Sequence, residues 1–244
     1  MRRTLITLWA VPLLALATQA RANDLNVSFS NCVESIGVGL APTAQAQLLT
    51  PPEFQLVGAL DPVTPVVVRT ARCRIGLPGL TPRVGSIVQV GAVIVPPDFT
   101  GDINNATFWY DTDDLALALL LRVRGVKAQF VPTLTYGLGN GTGPVPLLVT
   151  APWPAHPPLA IEGTVVRPSA PAGSFVAYWW AKSGDATVKM QTTVPVIAIG
   201  TADLTLTTPE HSALAHLFGS AEISFPALQQ FNTFAAASMV VSRD

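Results

Sequence analysis

The chain has 244 residues, of which 49% are hydrophobic and only 12% charged, with 22 prolines and 18 glycines. Setting aside Arg2, Arg3 and Arg21 leaves eleven basic against fifteen acidic side chains, a net of −4, which offers no electrostatic footprint for nucleic acid. So few charges leave a surface rich in apolar atoms, Ser, Thr, Asn and Pro, and this keeps homo-oligomerisation open.

The first residues join a basic pair, Arg2 and Arg3, to an apolar run from Leu5 to Ala17 and a small-residue cleavage pattern at Ala20, Arg21 and Ala22. This reads as a secretory signal peptide over 1–22, with an exported (secreted or periplasmic) domain over 23–244. The run is too short to span a bilayer, and no later segment is long and apolar enough, so no membrane span is expected. The paired arginines leave the choice of export route open. The two cysteines, Cys32 and Cys73, are expected to pair in an oxidising compartment, since neither lies in a CxxC or beside a histidine.

In chain order, Asn26 to Leu40 reads as loop and Ala44 to Leu49 as one helical turn. Phe54 to Leu60, Val66 to Ile75 and Val84 to Pro96 read as strands between proline and glycine breakers. Arg72 and Arg74 share one face of the second of these and Arg69 the other. A turn-rich loop from Pro97 to Asn105 precedes a strand from Thr107 to Tyr110. Asp111 or Thr112 then caps a helix that ends on Arg122, Arg124 and Gly125, with Asp113 and Asp114 in its first turn. After it, Val126 to Phe130 alternates, putting Lys127 and Gln129 on one face and Val126, Ala128 and Phe130 on the other.

Strand signals resume through Val131 to Tyr136, and a glycine-rich turn fills Gly137 to Gly143. It is not a phosphate loop, lacking both GxxxxGK and a strand-GxGxxG-helix context. Val145 to Ala151, Ala160 to Val166, Ser174 to Lys182, Thr187 to Val194 and Ile197 to Leu206 read as further strands, with a hairpin turn at Ser183, Gly184 and Asp185. Pro209 to Leu217 looks helical. Ile223 to Val241 mixes a short helix from Pro226 with a terminal strand. Many strands and few helices indicate a β-dominated α+β fold: an antiparallel closed or cone-shaped β-barrel with inserted helices.

Gly85-Ser86-Ile87-Val88-Gln89, the strand Phe108-Trp109-Tyr110 leading through Asp113 into a helix, Gly125-Val126-Lys127-Ala128, and Val188 to Pro195 followed by Gly200 together resemble the acetoacetate decarboxylase-like superfamily. That resemblance implies a cone-shaped barrel whose cavity holds a Schiff-base lysine acting on a small carbonyl or keto-acid compound, with no cofactor. It makes Lys127 the candidate nucleophile, Arg124 the cation that would help it shed its proton, and Gln89 a neutral partner where the family has a glutamate. The family's proline and second lysine are absent around Lys127. Arg72 or Arg74 would hold a substrate carboxylate, and Tyr110 and Trp109 would line the pocket.

Other chemistry is thinly represented. His211 and His216 are five apart, off the helical face-sharing spacing, and His156 sits among prolines, so no metal site is expected. The aspartates Asp111, Asp113 and Asp114 are explained by capping. Glu34, Glu53 and Glu162 are too dispersed to pair on sequence grounds, and the sequons at Asn26, Asn105 and Asn140 read as surface positions. An alternative function is a secreted, non-catalytic binder of an apolar small molecule, with Trp153, Trp179, Trp180, Phe108, Trp109 and Tyr110 as wall residues. A purely structural role is a third reading, needing no cavity.

Overall fold

The computed structural model describes residues 24–101, 103–152, 155 and 157–244. The expected leader over 1–22, Trp153 and His156 lie outside the described residues. The first described element is β1 (Leu25–Pro42), an 18-residue strand. It was expected as loop, because Ser28, Ser30, Asn31, Gly37 and Gly39 dilute its apolar pattern. Its burial nevertheless alternates, and it pairs antiparallel along most of its length with both β2 (Val63–Gly76) and β12 (Leu228–Arg243). Tertiary pairing on both edges overrides weak propensity here.

β3 (Arg83–Val93), β4 (Ile103–Thr112), β9 (Pro171–Ser183) and β10 (Ala186–Thr207) continue the sheet in that order. The 22-residue β10 merges two expected strands, since Pro195 interrupts the pairing without ending the strand. β10 then pairs with β12, closing a seven-stranded, barrel-like ring. The ring is antiparallel except at β4–β9, which runs parallel. Beyond residue 200, β10 leaves the ring to pair with β8 (Leu159–Val166), which continues into β7 (Pro144–Ala151) and β6 (Thr135–Leu138). Short β5 (Ala128–Phe130) and β11 (Glu222–Ser224) add to β4 and β10.

Phe54 to Leu60 is turn rather than strand, apart from a lone bridge between Leu56 and Ile94, and the expected helix from Pro226 is instead the start of β12. The three helices among the described residues are α1 (Thr43–Leu49), α2 (Leu115–Arg124) and α3 (Ala213–Phe218). The cap of α2 is Asp114, three residues beyond Asp111 and two beyond Thr112, the expected caps. Its Oδ1 accepts from the Leu117 N–H at 2.9 Å, and its carboxylate also receives Arg83. Gly125 ends the helix at φ 94°, a left-handed conformation that suits glycine.

Two cores result. One fills the ring: Val27, Phe29, Ile75, Ile87, Met190 and Val241 point inward, and α2 closes that end of the ring with Leu117 and Leu121. The other lies outside the ring, where Val66, Val68, Val88 and Val90 pack on Leu147, Leu206, Leu214 and Phe231. The strand β2 is therefore buried on both faces over Val66–Val67–Val68, which is why its sequence there is continuously apolar. No helix among the described residues is long and apolar enough to cross a membrane.

Cys32 and Cys73 form a disulfide inside the ring, closing 41 residues of chain. Chain-entropy reasoning gives such a link about 4 kcal/mol. Urea unfolding of the oxidised protein against Cys32→Ser/Cys73→Ser is expected to show a loss of that order, and equal midpoints would contradict it.

Candidate functional site

Closure of the ring divides each strand into residues that face the interior and residues that face out. At the end opposite α2, the interior residues Val38, Val67, Val93, Ala177, Trp179 and Val194 enclose an apolar cavity of about 230 Å³. It opens between Ile103, 37% exposed, and Leu228, 39% exposed. On β3, a side chain at Gly91 would strike the Ala106 carbonyl at 2.0 Å and the Trp179 ring at 2.9 Å, so glycine lets β4 and the Trp179 ring approach closely.

The polar lining of the cavity comes from five strands. Glu34 on β1 accepts from Arg69 Nε on β2 at 2.5 Å and from Asn232 Nδ2 on β12 at 3.2 Å. Arg69 Nη1 reaches Gln89 Oε1 on β3 at 3.4 Å. The Glu34 and Arg69 side chains are only 3% and 13% exposed, so each neutralises a charge that would otherwise sit dry in the ring. Thr192 on β10 and Gln230 on β12 also line the cavity, as does Asn105 on β4. Asn105 is 1% exposed, and its Oδ1 has no hydrogen-bond partner among the described residues. The sequon at Asn105 is therefore an interior position, not a surface one.

Tyr110 also faces the ring core, opposite Gln89 in the β3–β4 register. Burial pushes its phenol well above the ordinary tyrosine value, against the opposing effect of Arg69, so the hydroxyl stays protonated. Asn105 and Tyr110 can both point inward because a bulge at Phe108 shifts the alternation of β4: Val90 pairs with Trp109 but Gly91 with Thr107. The same bulge leaves Phe108 and Trp109 packed on the outer core, and Trp180 lies there too. Trp179 and Tyr110 are thus the expected wall aromatics that face the ring, and Trp109 is not.

Lys127 does not enter the cavity. Its neighbours Val126 and Ala128 are 2% and 3% exposed within the ring core, so the alternation holds but turns the lysine outward. There it is exposed, bordering a depression of about 180 Å³ shared with Trp109 and Lys182. Arg124 lies in the last turn of α2, and its neighbour Arg122 ties the helix to β5 by donating to the Ala128 carbonyl. Lys127, Arg124 and Gln89 are therefore not assembled around one cavity.

The remaining lysines face outward as well. Lys182 pairs with Glu53 at 3.5 Å, and Lys189 pairs with Asp98 at 2.5 Å while lying over the Tyr178 and Trp180 rings. Partial burial tends to raise the Asp98 carboxyl, but hydrogen bonds from Lys189 and Thr100 outweigh it and hold the group below its ordinary value. With Lys127, these are all the lysines of the chain.

Arg72 and Arg74 do not line the ring cavity either. Both are exposed on the outer face of β2, where Arg72 donates to the Tyr136 carbonyl at 3.1 Å, and the guanidinium in the cavity is Arg69. The phase of Cys73 pointed to this, since Arg69 lies on the same strand face as the cysteine that bridges inside the ring. The importance of Glu34 was hidden by its distance in sequence.

No protein-family model matches the sequence, and no curated protein matches it either. Solved structures do. The enduracididine biosynthesis enzyme MppR aligns over 91% of this chain and 86% of its own at TM-score 0.58 and 11% identity. Acetoacetate decarboxylase from Legionella pneumophila aligns over 88% and 84% at TM-score 0.53 and 12% identity. An acetoacetate decarboxylase-like enzyme from Sphingomonas wittichii aligns over 96% and 97% at TM-score 0.53 and 13% identity. The fold is therefore acetoacetate decarboxylase-like.

A buried ion pair costs most when it is cut in half. Arg69→Met alone, which strands the Glu34 carboxylate, is expected to destabilise by about 3–5 kcal/mol. The double variant Glu34→Gln/Arg69→Met should recover most of that loss in urea unfolding, and a double variant no more stable than the single would contradict the pairing.

Proposed function

We propose, from an acetoacetate decarboxylase-like fold whose ring interior holds no lysine, that this chain binds a small, mainly apolar molecule in the ring cavity and forms no Schiff base there. The observation that carries this reading is the cavity itself: a lining of aliphatic side chains and Trp179, open at one end, around a charge pair that is already neutralised. Apolar enclosure with a few fixed polar groups is the usual character of small-molecule sites, and this one, at about 230 Å³, falls just below their usual size.

Schiff-base chemistry asks for an amine and a carbonyl compound confined together, with the ammonium disfavoured by burial or a nearby cation. An exposed Lys127, apart from Gln89 and the cavity, lacks that confinement. The decarboxylase-like or aldolase-like reading of Lys127, with Arg124 as its tuner, therefore has the fold in its favour and the local geometry against it. Export of one domain over 23–244 after removal of the leader fits the Cys32–Cys73 bridge, since such links persist in oxidising compartments.

Two measurements test this. Toluene titrated into the protein should change the tryptophan fluorescence saturably, and Ala177→Phe, which fills part of the cavity, should weaken binding at least tenfold. An unchanged affinity in that variant would move the site elsewhere. Borohydride added with pyruvate or acetoacetate should leave no selective adduct on Lys127 relative to Lys182 and Lys189; stoichiometric, single-site trapping on Lys127 would restore the enzyme reading.

A further inference from the structure

Unmatched polar atoms remain in the ring interior: the Tyr110 hydroxyl, which does not line the cavity, and two amide oxygens. Asn105 Oδ1 and Asn232 Oδ1 are both buried without a donor, although the Asn232 amide nitrogen is engaged by Glu34. Buried carbonyl oxygens left unmatched are costly, and each one needs an explanation. Of the two, Asn105 lines the cavity directly. The only described ionic groups lining the cavity, Glu34 and Arg69, are already bonded to each other, with Gln89 and Asn232 completing the set.

We infer that the ligand of this cavity is a neutral hydroxyl compound, an alcohol with a short apolar body, and that Asn105 is the residue that reads its hydroxyl. The inference rests on the binding reading given above and specifies the ligand's chemical class. A hydroxyl donates to Asn105 Oδ1 and adds no charge to a compartment whose net charge is zero. A carboxylate would bring a second negative charge beside Glu34 and has no proton for Asn105. An ammonium would face Arg69, whose guanidinium borders the same space. Desolvating either ion without a free counter-charge is penalised far more than desolvating a hydroxyl. An ether of the same size can only accept, so it leaves Asn105 Oδ1 unmatched.

The cavity sets the body length. At roughly 30 Å³ per water-sized group, 230 Å³ holds about eight non-hydrogen atoms, the size of a six-carbon alcohol. The apolar chain would lie against Val38, Val67, Trp179 and Val194, towards the opening at Leu228.

The experiment is a calorimetric series at pH 7 with 1-hexanol, its isomer 1-methoxypentane, hexanoate and hexylammonium, on the native protein, Asn105→Leu and Asn105→Ser. Hexanol should bind the native protein at least tenfold more tightly than each of the other three. Asn105→Leu should erase its advantage over the ether, and Asn105→Ser, which retains an acceptor, should keep part of it. Hexanoate or hexylammonium binding as tightly as hexanol would overturn the assignment of class. A preference for hexanol that survives Asn105→Leu would overturn the role of Asn105. Should Asn105→Leu not fold, the native series and Asn105→Ser still decide. Toluene separates the two levels: if it binds and hexanol has no advantage, this inference fails while the cavity reading stands, and if nothing binds, both fail.

Discussion

The pairing of β12 with β1 along one edge and with β10 along the other closes the ring, and the placement of every functional side chain follows from that closure. In an open sheet, Arg69 and Arg72 would differ only in which face they occupy. Once the sheet closes, one face becomes a dry interior and the other a surface partly covered by a second core. A one-residue change of phase then exchanges solvent for enclosure, because side chains alternate with a period of two. Lys127 shows the consequence: flanked by two residues buried in the ring core, it cannot itself be there.

The interior tolerates Glu34 and Arg69 because each satisfies the other and because neutral amides from Gln89 and Asn232 take up further bonds. A closed ring with an apolar lining has little water to solvate an ion, so unpaired charge would be expelled or would neutralise itself. The same constraint extends to whatever enters: a neutral guest leaves the charge balance intact. The helix α2 holds the far end closed, and the space is left at the mouth between Ile103 and Leu228.

Much of the framework is legible in the sequence. The alternation of β2, the glycine stop at Gly125 and the hairpin at Gly184 are local signals, each backed by steric or hydrogen-bonding preference, and they place these elements well, whereas the start of α2 falls at Asp114, later than Asp111 or Thr112. The pairing of Cys32 with Cys73 follows from their being the two cysteines of the chain. β1 is not legible, because its serines and glycines dilute the pattern and its stability comes from two distant partner strands. The bulge at Phe108 is not legible either; it alone decides that Tyr110 faces inward together with Asn105, and that Trp109 does not.

The site itself is less readable than the fold. The resemblance in motifs correctly indicates an acetoacetate decarboxylase-like architecture, yet it draws the eye to Lys127 because that lysine follows a glycine at a helix end. Which way the lysine points depends on Tyr110 pairing with Ala128 across the parallel β4–β5 contact, a non-local register that no spacing reveals. Glu34 and Arg69 are 35 residues apart, and Glu34 and Asn232 are 198 apart. Only the closed ring brings them together.

The most direct test of a ring that binds a guest without an interior amine is crystallographic: crystals soaked in 6-bromohexan-1-ol and measured at the bromine edge. The account predicts one anomalous peak inside the ring towards Leu228, with the hydroxyl at hydrogen-bonding distance from Asn105. A peak in the outer depression beside Trp109, Lys127 and Lys182, with the ring cavity holding only water, would contradict it.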